Sequence, residues 1–246
     1  YIIKFKLIML QEKQTVQQNQ FMWLKPYNML KLSQFIIQIL SPLFIFLFSI
    51  SLWLGIMFIS EDFQQGENFK MIYIHVPFAW SCMINFIFLS FTSIIYLYSN
   101  HPILNILNRS YSVLGTLFTF NCLITGSFWG FPTWGTFWVW DARLTSVLIL
   151  FFIYATHLLL IILRKDRIAS IFSLVGLINL PIIKYSVDWW STLHQGASLT
   201  ESANTIHESI FTPMIVMFIA LLLFSFLYSS IIVRLFLVKY RYKTLI

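Results

Sequence analysis

Apolar runs at positions 35–59, 76–98, 111–128, 144–163, 168–187 and 209–233 constrain this 246-residue chain more than any other feature. Five carry no charged residue, and the fifth carries only Lys184, near its end. A helix rising 1.5 Å per residue needs about 20 residues to cross roughly 30 Å of hydrocarbon. Inside hydrocarbon every backbone N–H and C=O must find a partner within the protein, so runs of this length have the helix as their solution. Lys184 is expected to snorkel its ammonium to the interface. The predicted fold is therefore all-α: a polytopic membrane protein of six transmembrane helices. A composition 59% hydrophobic and only 10% charged agrees, since soluble domains carry about a quarter charged residues.

Charge then orients the bundle. With six spans both termini share a side, and the segments on that side (1–34, 99–110, 164–167 and 234–246) hold 13 of the 16 Lys/Arg against Glu12 and Asp166. The opposite loops hold Lys70, Arg143 and Lys184 against seven acids: Glu61, Asp62, Glu67, Asp141, Asp188, Glu201 and Glu208. Lys/Arg bias marks the cytoplasmic or matrix side, so both termini are expected there and the acidic loops outside. Read this way, the net charge of +7 is a topology signal for a lipid bilayer and not a nucleic-acid surface. The expected division is an inner N-terminal segment (1–34), one six-helix domain (35–233) and a basic inner tail (234–246). Cys82 and Cys122 stand alone in apolar runs, without a C-x-x-C-H motif, so they predict packing and no covalent haem attachment.

The outer loops gather the unusual residues. His75 stands just ahead of Pro77, which suits a first helical turn, so His75 is expected at or just before a helix start. A single interfacial histidine bonded to a neighbour is the plain alternative. Four tryptophans, Trp129, Trp134, Trp138 and Trp140, fall within twelve residues, more than the one or two per helix end of an interfacial belt. Trp134 and Trp138 would share a face in a helix, Trp138 and Trp140 in an extended strand; either builds a flat indole surface. Asp141 reads as an N-cap of the fourth span. Arg143 either pairs with Asp141 or offers its guanidinium fork to a ligand carboxylate. The third loop adds Trp189, Trp190 and His194.

Two imidazoles beside six tryptophans suit a planar metallocycle. Iron porphyrin needs axial nitrogen donors, apolar contact on its faces, and cationic or hydroxyl partners for its propionates. Zinc fits less well, because the outer histidines His75, His194 and His207 form no closely spaced pair. His101 and His157 fall toward the inner side and read as structural, while His207 is outer and stands as a substitute ligand.

The run WGTFWVWDARLTS (134–146) resembles the tryptophan-rich signature of the haem-handling proteins of cytochrome c biogenesis. QQG (64–66), IYIHVP (72–77), PIIKYSV (181–187) and WWSTLHQG (189–196) are similar to segments of the haem exporter C family, CcmC. The resemblance covers about 62–196. It implies non-covalent haem b on the outer side, with His75 and His194 as axial iron ligands. Trp129, Trp134, Trp138, Trp140, Asp141, Arg143, Trp189 and Trp190 would form the surrounding surface. It also implies a membrane-anchored haem chaperone and an ABC-type complex with an ATPase, a second membrane subunit and a small single-span subunit. The chain itself would be no enzyme, and nothing in it resembles a Walker A loop. A mitochondrial inner membrane is the preferred location, a bacterial inner membrane the other. Two rival readings stand beside this one: a b-type cytochrome electron-transfer subunit, and a permease or scaffold subunit without haem of its own.

Overall fold

The computed structural model describes residues 25–57, 63, 65–194 and 207–243, with side chains to 239. Most of the predicted N-terminal segment and the acids Glu61, Asp62 and Glu201 lie outside the described residues. The helices are α1 (Pro26–Met57), α2 (Ile72–Ser99), α3 (Pro102–Trp134), α4 (Ala142–Ile162), α5 (Asp166–Gly176), α6 (Asn179–Trp189) and α7 (Glu208–Lys243). A 3-10 turn, Glu67–Met71, leads into α2, and no β-strand occurs among the described residues. Six segments are long and apolar enough to cross a membrane, α5 and α6 together making the fifth, Asp166–Trp189. The all-α, six-span expectation is met.

Helix ends depart from the expected boundaries where capping outweighs hydropathy. The predicted inner loop 99–110 shrinks to two residues. Asn100, in the left-handed region at φ 50, closes α2 through its N–H to the Tyr96 carbonyl, 2.7 Å away. His101 then caps α3, its Nδ1 accepting from the Ile103 N–H at 3.3 Å, and Pro102 takes the first helical position, where no donor is missed. At its far end α3 runs six residues past the predicted limit of 128, through Pro132 to Trp134. It stops at Gly135, whose φ of 69 is the left-handed C-cap that glycine adopts without a Cβ penalty. The start of α2 is also earlier than expected: the 3-10 turn hands its hydrogen bonding to Ile72, which places His75 inside the first turn and Pro77 beyond it.

The fifth span is broken rather than continuous. Pro181 has no N–H to give the Leu177 carbonyl, which instead accepts from Leu180 at 3.2 Å, while Leu177 and Ile178 make i→i−3 bonds of 3.2 and 3.3 Å. Asn179 at the break turns its Nδ2 to the Ser146 carbonyl of α4, 2.9 Å away.

Large apolar side chains such as Phe35, Phe46, Ile94, Phe152 and Leu235 face outward, while Ser81, Asn85, Asn108, Thr119 and Ser173 are buried. That distribution suits lipid, where apolar surface gains nothing by hiding and helix pairing rests on close packing and interhelical hydrogen bonds. Asn85 Nδ2 donates to Ser225 Oγ at 3.0 Å, joining α2 to α7. Tyr154 Oη donates to the Cys82 carbonyl at 2.7 Å, joining α4 to α2. Cys82 and Cys122 sit free and buried in the same core as Phe86, Leu114 and Leu150, the packing role expected of them. At the end carrying the basic residues, Arg234 Nη1 donates to the Leu30 carbonyl at 3.1 Å, fastening α7 to α1.

Because successive spans alternate in direction, the start of α2, the end of α3, the start of α4, the end of α6 and the start of α7 meet at the other end.

Candidate functional site

At that end, His75 projects from the first turn of α2 onto α3. Its Nδ1 lies 2.9 Å from the Cys122 carbonyl and 3.4 Å from Thr125 Oγ1. A carbonyl only accepts, so the ring proton sits on Nδ1 and the Nε2 lone pair faces away. The imidazole reaches this close because residue 126 is glycine: a Cβ there would meet His75 Cε1 at 2.7 Å. Trp129, one turn further along α3, packs edge-on against the imidazole with ring centroids 5.5 Å apart. Its indole N–H donates to Gln65 Oε1 at 2.6 Å, so the segment ahead of the 3-10 turn fixes the ring.

The tryptophan loop divides at Gly135. Trp129 and Trp134 belong to α3, whereas Trp138 and Trp140 lie in the irregular chain before α4. No helix joins Trp134 to Trp138, and Trp138 and Trp140 meet edge-to-face at 5.5 Å in chain without regular secondary structure, where the Asp141 N–H turns back to the Val139 carbonyl at 3.1 Å. Phe137 stacks on Phe131 at 4.4 Å, folding the loop back over the end of α3. Asp141 caps α4 as expected, Oδ1 accepting from the Leu144 N–H at 2.8 Å. Its Oδ2 and the Trp138 indole N–H are buried with no hydrogen-bond partner.

Arg143 forms no ion pair with Asp141 among the described residues. Its guanidinium reaches across to α6 and beyond: Nε donates to Ser186 Oγ at 3.2 Å, Nη2 to the Lys184 carbonyl at 3.3 Å, and Nη1 to His194 Nδ1 at 3.4 Å. His194 thus joins the same end as His75, and the two imidazoles and Arg143 lie within electrostatic range of one another. Trp189 stacks on Tyr185 at 5.4 Å and meets Trp190 at 5.7 Å, both indoles about half exposed. A cavity of about 360 Å³ opens between the two loops, lined by Val139, Trp140, Asp141, Ala142, Trp190, Ser191, Thr192 and Leu193.

The other histidines have local duties. His157 is buried in α4 with Nδ1 2.6 Å from Ser112 Oγ, and His101 caps α3. His207 accepts from the Ser209 N–H at 3.3 Å at the start of α7.

A family model described as heme exporter protein C matches residues 20–245. The chain belongs to that family. It is 46% identical over 195 residues to a putative cytochrome c biosynthesis ccmC-like mitochondrial protein of Marchantia polymorpha, covering 79% of this chain and 85% of that protein. A protein of the same description from Arabidopsis thaliana is 40% identical over 222 residues, 85% of this chain and 86% of the relative. The heme exporter protein C of Haemophilus influenzae is 40% identical over 232 residues, 91% and 92% of the two chains.

In this heme exporter C family member, four contributors to the site had escaped sequence reasoning: the Cys122 carbonyl, Gly126, Gln65 and Ser186. Only Gln65 and Ser186 fell within segments that carried the resemblance. A backbone carbonyl and a glycine that simply makes room have no residue-type signature.

Proposed function

We propose that this chain holds non-covalent haem b at the end of the bundle bearing the tryptophan loop and presents it to a membrane-anchored haem chaperone for cytochrome c assembly. The observation that carries the reading is the state of His75: Nδ1 is committed to the Cys122 carbonyl, so Nε2 offers its lone pair beside Trp129. His194, held on the same end by Arg143, is the second axial ligand. Trp129, Trp134, Trp138, Trp140, Trp189 and Trp190 supply stacking and apolar area to a planar cargo. The orphaned Trp138 indole N–H and the Arg143 guanidinium are donors suited to propionates, and Asp141 ties the loop carrying Trp138 to the first turn of α4, which carries Arg143.

The family and the relatives' names support haem handling in cytochrome c biosynthesis, and likeness to mitochondrial proteins favours the mitochondrial inner membrane. Segregation of basic residues to the opposite end supports a matrix or cytoplasmic side for both termini and an outer side for the haem face. Haem delivery of this kind takes ATP hydrolysis from a partner, and the partners inferred are an ABC-type complex with an ATPase, a second membrane subunit and a small single-span subunit.

Titrating ferric haem into the purified chain tests the reading. Saturable binding that weakens in both His75→Ala and His194→Ala is expected. Undiminished affinity in the two variants would remove the ligand assignment.

A further inference from the structure

Resting on the haem reading, we propose that Arg143 governs whether His194 can ligate iron, so that this site accepts iron porphyrins with free carboxylates and discriminates against those without. The argument concerns lone pairs. A guanidinium has donors only and stays protonated in proteins. With Arg143 Nη1 3.4 Å from His194 Nδ1, the imidazole is the acceptor, and the proton of the neutral ring sits on Nε2. A neutral imidazole has one lone pair available in its plane. In His194 that pair faces Arg143. Bonding it to iron, through Nδ1 directly or through Nε2 after the ring proton passes to Nδ1, requires the Arg143 contact to end. His75 is the opposite case, with its proton on Nδ1 against the Cys122 carbonyl and its lone pair on Nε2. One imidazole is a ready ligand and the other is engaged.

A carboxylate is what can disengage it. Hydrogen bonds from a guanidinium to an ionised acceptor are roughly twice as strong as those between neutral partners. Arg143 Nη1 therefore prefers a porphyrin propionate to a neutral imidazole. The guanidinium need not travel, because Nε on Ser186 and Nη2 on the Lys184 carbonyl hold it at the junction of α4 and α6. Only Nη1 changes partner. No covalent bond to carbon, oxygen or sulfur is altered; one hydrogen bond passes from nitrogen to oxygen, and where Nε2 is the ligating atom a ring proton moves from Nε2 to Nδ1.

The full chain in detergent, loaded with either ferric protoporphyrin IX or its dimethyl ester, tests this by electron paramagnetic resonance. The expected result is a low-spin bis-imidazole signal with the free acid, loss of that signal to a high-spin form on His75 alone with the diester, and its return with the diester in Arg143→Met. Equal low-spin signals for both porphyrins in the unaltered chain overturn the proposal and leave the haem reading intact. Absence of any imidazole-ligated signal with the free acid overturns both. Should Arg143→Met fail to fold, nitrogen-15 spectra of histidine-labelled, porphyrin-free protein decide, with His194→Gln assigning the resonances. A proton on His194 Nε2 and on His75 Nδ1 is expected, and a proton on His194 Nδ1 contradicts the proposal.

Discussion

His75 of α2 and Gly126 of α3 form one fitted contact: the imidazole lies where a Cβ at position 126 would stand, 2.7 Å from His75 Cε1, and that fit lets Nδ1 reach the Cys122 carbonyl at 2.9 Å. Gly126→Ala would by itself favour the helix by up to about 1 kcal/mol. It also pushes the imidazole off its acceptor. Changes to a metal ligand's supporting hydrogen bond typically cost about 10- to 100-fold in affinity. The expected outcome is a fold at least as resistant to heat as the parent with haem binding weakened by that factor, measured by thermal unfolding beside haem titration. Unchanged affinity would detach Gly126 from the site.

Gln65 acts on the same imidazole through Trp129. Gln65→Leu deprives the half-buried indole N–H of its acceptor, a loss of about 1 kcal/mol or more. Trp129→Phe removes donor and indole together while keeping a ring against His75. If the two residues work as a unit, the double variant loses less haem affinity than the two single losses added, and full additivity contradicts the linkage.

Asp141 separates a capping duty from a charge. Asp141→Asn retains an oxygen for the Leu144 N–H and should leave the melting temperature nearly unchanged, since Asn and Asp cap about equally well. Asp141→Ala removes the cap at a cost of about 1 kcal/mol, read as a lower melting temperature in detergent. Equal melting for both variants would mean that the cap contributes nothing.

How much of this was legible beforehand depends on the kind of signal. Six spans follow from hydropathy because the bilayer imposes one length on every helix. Their ends follow from local chemistry: hydropathy alone assigns Arg109 and Pro132 to loops, yet both lie within α3. The informative residues were Asn100, His101, Pro102 and Gly135, a cap sequence that fixes both ends of that helix. The two histidines and the tryptophan loop stood out because their residue types are rare in such density. Arg143 was visible as a candidate, but its partners come from 41 to 51 residues away and depend on how the broken fifth span presents Ser186 and Lys184.

Topology is open to labelling, because Cys82 and Cys122 are buried and give little background. Ser191→Cys, exposed beside the tryptophans, should react with a membrane-impermeant maleimide added to the outer side of intact mitoplasts or spheroplasts. Lys165→Cys, exposed at the opposite end, should react only after the membrane is opened. The reverse pattern would invert the bundle.

The central claim, that imidazoles from α2 and from the segment after α6 share one iron, is met most directly by the spin state of ferric haem bound to purified protein. The account predicts a low-spin, two-imidazole spectrum in the parent, conversion to high spin in His75→Ala and in His194→Ala alike, and restoration of low spin in each by added imidazole. A parent-like low-spin spectrum in both single variants would contradict it.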